Sequence, residues 1–306
     1  MKEKFFLMLS LVLISILFIV HYHEDVPTFK IDNVEYPYNN INYTGVKINK
    51  SKIKVAIIDT GIDNSLPLKN EFNIREYNVM NAKEFDPEKS IHGTLVTSII
   101  CNSRMISDNN LQDSIEIISI KVGDDDNIQR ESIIKGIKLA IELKADIINI
   151  SLGTYKDNTE LKNTVMDGIA KGVIFVCSSG NDAAKQYLYP ASYKNVISVA
   201  SLDSNNIYLK NNNRNNKILI SVPGENIPTN FDMPNSKYQK FLTGSSASTA
   251  ILTDTIILLK EINSSLQPGD IIKILSETST DLGDKGRDNY YGVGLLNFQK
   301  AVESAK

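Results

Sequence analysis

The strongest constraint on the fold is the alternation of short apolar runs with segments of helical spacing. Five runs rich in β-branched residues span residues 54–58, 115–122, 146–150, 173–177 and 196–200. Such continuous apolar runs are typical of strands in a sheet that is covered on both faces. Strands that alternate with helices imply right-handed crossovers and parallel pairing. We therefore predict a single α/β domain with a mostly parallel central sheet flanked by helices.

Four helical segments are predicted between and after these strands. The first is the apolar run 95–101 behind His92, the second is centred on residues 133–141, and the others span 159–170 and 245–262. Two polar stretches, 123–127 and 204–216, are predicted to be loops. The second is rich in asparagine, and we expect it to be a mobile insertion.

Composition excludes several classes of function. The chain has 306 residues and a net charge of −3, which argues against a nucleic-acid partner. Its two cysteines, Cys101 and Cys177, both fall in apolar stretches, so we expect two separate buried thiols. No metal-ligand spacing is present, and we expect no cofactor and a monomer.

The N-terminus carries an apolar segment, residues 5–20, behind Lys2 and Lys4. No alanine occurs before Ala56, so the small-residue cleavage site of a signal peptide is missing. We therefore predict a cytoplasmic N-terminus (1–4), an uncleaved signal anchor (5–20), a juxtamembrane linker (21–50) and an extracellular domain (51–306). The alternative is a cleaved signal peptide and a secreted protein.

Three chemically capable residues stand at the ends of predicted elements. Asp59 closes a strand, His92 begins a helix and is the only histidine beyond residue 23, and Ser246 begins the long C-terminal helix. The order Asp, His, Ser, each beside a glycine, matches one known order of a serine-protease triad. Each residue alone has an ordinary explanation, such as a strand-end turn or a helix cap. Their combination predicts nucleophilic catalysis.

Two further features complete this hypothesis. Three of the four residues from 245 to 248 are serine, so position alone does not select the attacking hydroxyl. Asn181 follows the strand that ends at Cys177, and its amide is placed to donate to a developing oxyanion.

The motifs as a whole resemble those of subtilisin-like serine proteases, the subtilases, across roughly residues 50–305. The resemblance rests on the following strings: Asp59-Thr60-Gly61, His92-Gly93-Thr94, Gly244-Ser245-Ser246-Ala247-Ser248, Ile148-Asn149-Ile150-Ser151-Leu152-Gly153 and Ser179-Gly180-Asn181. It implies a catalytic triad of Asp59, His92 and Ser246 with Asn181 in the oxyanion hole. It further implies that the substrate is bound by Ser151, Leu152 and Gly153 and by Ser179 and Gly180.

The chain also departs from the family pattern. In the helix after Ser246, Ala250 and Asp254 stand where the family usually has a proline and a glycine. After His92, residues 95–98 stand where the family usually has a second histidine and a pair of small residues. Leu68 follows Pro67 where a calcium-binding aspartate often stands, so calcium is not supported by the sequence. The stretch before the domain is too short for a long inhibitory prodomain, so self-activation by prodomain removal is not expected.

These observations predict a serine endopeptidase that acts on polypeptides through an acyl-enzyme. The alternative is a catalytically silent, membrane-tethered binding module on the same scaffold. An aspartic protease would need a second copy of Asp59-Thr60-Gly61, which the chain lacks. Processing of exported peptides and turnover of surface proteins both remain open. Asp182, at the pocket rim, suggests a mild preference for a basic side chain before the cleaved bond.

Overall fold

The computed structural model describes residues 28–29, 36–43, 46–48, 52–63, 68–80, 91–105, 111–124, 127–229 and 241–306. The expected cytoplasmic N-terminus, the signal anchor and much of the linker therefore lie outside the described residues. Within those ranges, no helix combines the length and apolar character needed to cross a membrane.

The described residues form a parallel sheet, several small ribbons and a set of helices. The strands are β1 (Thr28–Phe29), β2 (Val46–Lys47), β3 (Ile53–Asp59), β4 (Asn73–Asn78), β5 (Ile115–Lys121), β6 (Gly123–Asp124), β7 (Asn127–Ile128), β8 (Ile147–Ile150), β9 (Ile174–Ser178), β10 (Ile197–Leu202), β11 (Ile220–Pro223), β12 (Ile227–Pro228) and β13 (Phe241–Leu242). The helices are α1 (Leu68–Glu71), α2 (Ile91–Met105), α3 (Arg130–Glu142), α4 (Thr159–Ala170), α5 (Ser245–Ile262), α6 (Pro268–Thr278) and α7 (Phe298–Ala305).

The central sheet has seven strands in the order β11-β10-β9-β8-β3-β5-β4, and every neighbouring pair is parallel. All five predicted strands are present, as are the four predicted helices, so the predicted α/β architecture is confirmed. Strand β4 was not predicted, because it lies at the sheet edge and its mostly exposed residues show no apolar run.

Alternate side chains of the central strand β3 pack into two separate hydrophobic cores, one on each face of the sheet. Ile53, Val55 and Ile57 pack with α2, α5, α6 and α7 on one face. Ala56 and Ile58 pack with α3 and α4 on the other face. Because both faces are covered, the strand is apolar from Val55 to Ile58, as is usual in parallel sheets.

The path of the chain creates a crevice at the ends of β3 and β8. From β3 the chain runs to β4, returns to β5 beside β3, and then crosses β3 to form β8 on its other side. Ligands of open α/β sheets bind where the strand order reverses in this way, outside the carboxyl ends of the strands. Asp59 ends β3, and Ser151 follows β8 at the same level, since Ile58 pairs with Ile150.

The segment assigned to the juxtamembrane linker contributes to the packed core. Tyr38, Ile41 and Tyr43 are buried, the Tyr43 ring stacks on Phe298 with centroids 4.0 Å apart, and the Phe298 amide donates to the Ile41 carbonyl at 2.8 Å. These contacts join the segment ahead of residue 51 to the last described helix, α7. The packed unit therefore includes residues that precede the expected domain boundary.

Two polar loops also have more structure than expected. In 123–127, β6 and β7 pair as a short antiparallel ribbon, with Asp124 opposite Asn127. In 204–216, Asn212 and Asn213 are buried, with 1% and 0% of their surface exposed. This part of the second loop is therefore packed against the domain. The two cysteines form no disulfide and are both buried, as predicted.

Candidate active site

Asp59 and His92 form a direct hydrogen bond at the carboxyl edge of the sheet. Asp59 Oδ1 lies 2.8 Å from His92 Nδ1 and also accepts the Thr60 amide at 2.7 Å. The Asp59 side chain is 1% exposed, whereas that of His92 is 30% exposed. A carboxylate only accepts hydrogen bonds, so this contact places the imidazole proton on Nδ1. Nε2 is then the ring nitrogen that carries the lone pair needed for general-base chemistry.

Close approach of α2 to the end of β3 brings these residues together. A Cβ atom on Gly93 would lie 2.4 Å from the Gly61 carbonyl oxygen and 3.2 Å from Asp59 Cβ. The Gly93 amide also donates to Thr60 Oγ1 at 3.0 Å. Glycine after His92 is therefore required by packing, because any side chain there would push the helix away from the aspartate.

The three serines at the start of α5 have different surroundings. Ser245 Oγ is fully buried, 2.6 Å from Ser178 Oγ and 2.9 Å from Asn181 Oδ1. Ser248 Oγ is also fully buried and donates to the Val222 carbonyl at 2.9 Å. Only Ser246 retains some exposure, 5%, and its hydroxyl makes one long bond of 3.3 Å to the Ser151 carbonyl. The structure thus distinguishes Ser246 from its neighbours, which the sequence position alone did not.

The Ser151 bond locates Ser246 relative to Asp59. Ser151 stands level with Asp59 on the adjacent strand, and neighbouring strands lie about 4.8 Å apart. The Ser246 hydroxyl therefore lies over the end of the strand beside the one that carries the aspartate. The three predicted residues converge on the crevice between β3 and β8.

Asn181 faces the start of the same helix. Its Oδ1 accepts the Ser245 backbone amide at 2.9 Å as well as the Ser245 hydroxyl. A backbone N–H only donates, so the oxygen of the Asn181 amide must face it. Since these bonds fix the orientation of the amide, its Nδ2 group, which is the only donor of the side chain, is turned away from the Ser245 amide.

The predicted substrate segment leaves backbone groups available. Among the described residues, the backbone N–H and C=O groups of Leu152 and Gly153 have no hydrogen-bond partner. Directly afterwards, Thr154 pairs with Tyr189 through bonds of 2.9 and 2.8 Å. The free backbone groups offer an edge to which an extended chain can pair. Ser179 and Gly180, by contrast, are buried.

Asn213 is a site residue that sequence reasoning missed. Its Oδ1 accepts the backbone amides of Asp182 and Ala184, each at 3.1 Å, and its Nδ2 donates to the Ser179 carbonyl at 3.1 Å. Its own amide donates to the Gly180 carbonyl at 2.9 Å. One buried asparagine therefore holds the loop on both sides of Asn181. Nothing in the asparagine-rich stretch 204–216 marks this residue among its neighbours.

Metal ligands are not grouped at this site or elsewhere in the described part of the chain. No set of three or more His, Cys, Asp and Glu side chains is placed there to hold a metal ion.

Comparison with known proteins shows the family to which the chain belongs. The model of the subtilase family matches residues 50–294. The major intracellular serine protease of Bacillus subtilis (strain 168) is 35% identical over 227 residues, 68% of this chain and 68% of that protein. Subtilisin amylosacchariticus from Bacillus subtilis subsp. amylosacchariticus is 29% identical over 291 residues, 92% of this chain and 72% of that protein.

A solved structure shares the fold. The crystal structure of a lanthipeptide protease superposes with a TM-score of 0.71 at 19% sequence identity, over 84% of this chain and 90% of that chain. The family match covers most of the chain, including the segments that carry Asp59, His92 and Ser246. The chain belongs to the subtilase family, and it is a serine-type endopeptidase.

Proposed function

We propose that the chain hydrolyses peptide bonds with a triad of Asp59, His92 and Ser246. The observation that carries this proposal is the 2.8 Å bond between buried Asp59 Oδ1 and His92 Nδ1. It fixes the tautomer in which Nε2 accepts a proton, and it stabilises the imidazolium once that proton arrives. Without such a bond, the imidazole would sample both tautomers.

In the first step, Ser246 Oγ attacks the carbonyl carbon of the peptide while His92 Nε2 takes the hydroxyl proton. The hydroxyl must first leave its long bond to the Ser151 carbonyl, and such loose contacts in a free enzyme commonly rearrange when substrate binds. His92 then gives the proton to the leaving amine as the C–N bond breaks. Water, deprotonated by the same nitrogen, hydrolyses the acyl-enzyme and releases the acid.

The negative oxygen of the tetrahedral intermediate requires donors. Asn181 Nδ2 and the Ser246 backbone amide, at the N-terminus of α5, supply them in this proposal. The orientation of the Asn181 amide supports the role, because its oxygen is already held by the Ser245 amide. A single donor of this kind typically contributes about 3 kcal/mol to transition-state stabilisation.

The substrate is a polypeptide that binds in extended form along residues 151–153. The free backbone groups of Leu152 and Gly153 support pairing with a substrate strand. We propose that the substrates are exported peptides or surface proteins and that residues 5–20 tether the domain outside the membrane. The lanthipeptide protease that shares this fold makes peptide processing a reasonable first hypothesis. Recovery of the chain in culture medium, without residues 5–20, would instead support secretion.

Fluorophosphonate labelling of the purified full-length chain tests the mechanism. We expect the parent to be labelled and Ser246→Ala to remain unlabelled, since only an activated serine reacts. Ser248→Ala is the matched control, because that hydroxyl is bonded within the core and should not affect labelling.

Absence of labelling in a folded parent would overturn the proposal and favour the silent binding module. Labelling that persists in Ser246→Ala would reject Ser246 as the nucleophile. Folding of each variant is checked by circular dichroism.

A further inference from the structure

Leu188 is a buried leucine outside both hydrophobic cores. It is 8% exposed. In the part of the chain that the structure describes, it belongs to neither of the two apolar clusters that flank the sheet. A leucine side chain that stabilises the fold ordinarily joins such a cluster. Its location therefore calls for a different explanation.

Leu188 spans the gap between the two segments that border the reactive serine. A Cβ atom on Gly153 would lie 2.8 Å from Leu188 Cγ, and a Cβ atom on Gly180 would lie 3.4 Å from Leu188 Cδ2. Gly153 follows β8 and Gly180 follows β9, and these strands are neighbours in the sheet. The leucine thus occupies the crevice between the two strand ends.

This crevice is where the side chain before the cleaved bond must go. In the proposed mechanism the attacked carbonyl lies between Ser246 and Asn181. A substrate strand paired with residues 151–153 directs alternate side chains to opposite faces. The side chain on the residue that carries the attacked carbonyl then enters the space between residues 151–153 and 179–181.

A polar bridge connects the two segments that border the same crevice. The Tyr155 hydroxyl donates to Asp182 Oδ2, and it accepts from Asn213 Nδ2 at 2.8 Å. Tyr155 belongs to the segment after β8 and Asp182 to the segment after β9, so the bridge joins the two walls. Partial burial and the Asp182 hydrogen bond raise the pKa of Tyr155 to about 12, so the phenol keeps its proton at neutral pH.

We propose that Leu188 limits the substrate to a small side chain, such as that of glycine, alanine or serine, immediately before the cleaved bond. This inference rests on the proposed function, because it concerns the acyl side of the same reaction. A leucine or phenylalanine side chain would have to displace Leu188 from a filled crevice. A lysine would additionally have to replace the Tyr155 hydroxyl at Asp182, so the expected preference for a basic residue is replaced by one for small residues.

The test uses the full-length enzyme and peptides that differ only at this one position, with Ala, Ser, Leu, Phe or Lys. We expect kcat/KM for the Ala and Ser peptides to exceed that for Leu, Phe and Lys by at least about 10-fold. A misfit of one methylene group in a pocket typically changes kcat/KM by about 10- to 200-fold.

Leu188→Ala provides the decisive comparison. We expect it to raise the Leu-to-Ala ratio of kcat/KM by about 10-fold or more, since it vacates the space that the larger side chain needs. Leu266→Ala is the matched control, because Leu266 is equally buried at 8%. It follows the C-terminal end of α5, which lies about 24 Å along the helix from Ser246, and its replacement should leave the ratio unchanged.

A parent enzyme that cleaves the Leu or Phe peptide as fast as the Ala peptide would overturn the inference, whatever kcat/KM values the variants give. The inference would also be overturned if the Leu-to-Ala ratio of kcat/KM were no higher in Leu188→Ala than in Leu266→Ala. Failure to cleave any peptide, combined with absent fluorophosphonate labelling, would instead refute the proposed function. The two failures are therefore distinguishable.

Tyr155→Phe distinguishes the contribution of the polar bridge to specificity from that of Leu188. It keeps the ring but leaves Asp182 without its hydroxyl partner. We expect the Lys-to-Ala ratio to rise while the Leu-to-Ala ratio stays low, because Leu188 still fills the crevice. A rise in the Leu-to-Ala ratio equal to that of Leu188→Ala would contradict the assignment of the size limit to Leu188.

Discussion

Replacement of Asn213 by alanine should damage stability and catalysis together. The side chain is fully buried and joins the Ser179 carbonyl to the backbone amides of Asp182 and Ala184. Loss of a partner for a buried group costs about 1–3 kcal/mol, and the two amides, which lie nearer the surface, add less. We therefore expect a loss of about 2–4 kcal/mol, or a fall in Tm of roughly 5–15 °C for a domain of this size.

The catalytic effect of Asn213→Ala follows from the position of Asn181, which lies in the loop that Asn213 holds. If the loop shifts by about 1 Å, the amide no longer meets the oxyanion, and kcat/KM should fall by about 100-fold. Stability is measured by thermal unfolding in the Ser246→Ala background, where self-digestion cannot interfere. Catalysis is measured with the Ala peptide in the background that retains Ser246.

Asn212→Ala is the matched control for this experiment. Asn212 is adjacent, 1% exposed, and donates to the Ser201 carbonyl at 2.6 Å, but it makes no bond to the loop that carries Asn181. Its loss should lower Tm and leave kcat/KM unchanged. If Asn213→Ala lowers Tm as Asn212→Ala does and likewise spares kcat/KM, then Asn213 does not position the oxyanion donor, and our reasoning fails.

Three further predictions concern the same region. Asn181→Ala should lower kcat by about 100- to 1000-fold with little change in KM, as steady-state kinetics would reveal, because the donor acts on the transition state. Gly93→Ala should lower Tm by several degrees and abolish most labelling, because the new Cβ would lie 2.4 Å from the Gly61 carbonyl oxygen. The raised pKa of Tyr155 means that the unfolded chain loses this proton near pH 10 and the folded chain near pH 12. The stability difference between the parent and Tyr155→Phe, measured by denaturation, should therefore be constant below pH 10 and shrink as the pH rises to 12.

Much of the fold was predictable because local sequence and global architecture agree. The apolar runs that form β3, β5, β8, β9 and β10 are buried on both faces, so their composition reveals them directly. Strand β4 escaped detection because an edge strand that faces solvent carries no apolar run. The core contribution of Tyr38 and Tyr43 was also missed, since it depends on contact with α7 at the far end of the chain.

In the candidate site, too, some residues could be predicted from the sequence and others could not. Asp59, His92 and Ser246 could be identified because each stands where an element begins or ends, and because their strings resemble a known family. Asn213 and Leu188 could not, because their importance comes from what lies around them in space. A buried asparagine in a stretch full of asparagines looks like any loop residue until its hydrogen bonds are known.

The burial of α5 has a consequence for how the enzyme is made. The helix is buried from Ser245 to Glu261 and lies in the core on one face of the sheet, yet it follows 244 other residues. A growing chain that has emerged only to β11 therefore leaves apolar surface of that face uncovered and exposed to aggregation or to chaperones. Because Ser246 arrives on the element that covers this face, we expect the nascent chain to become a protease only when its core closes.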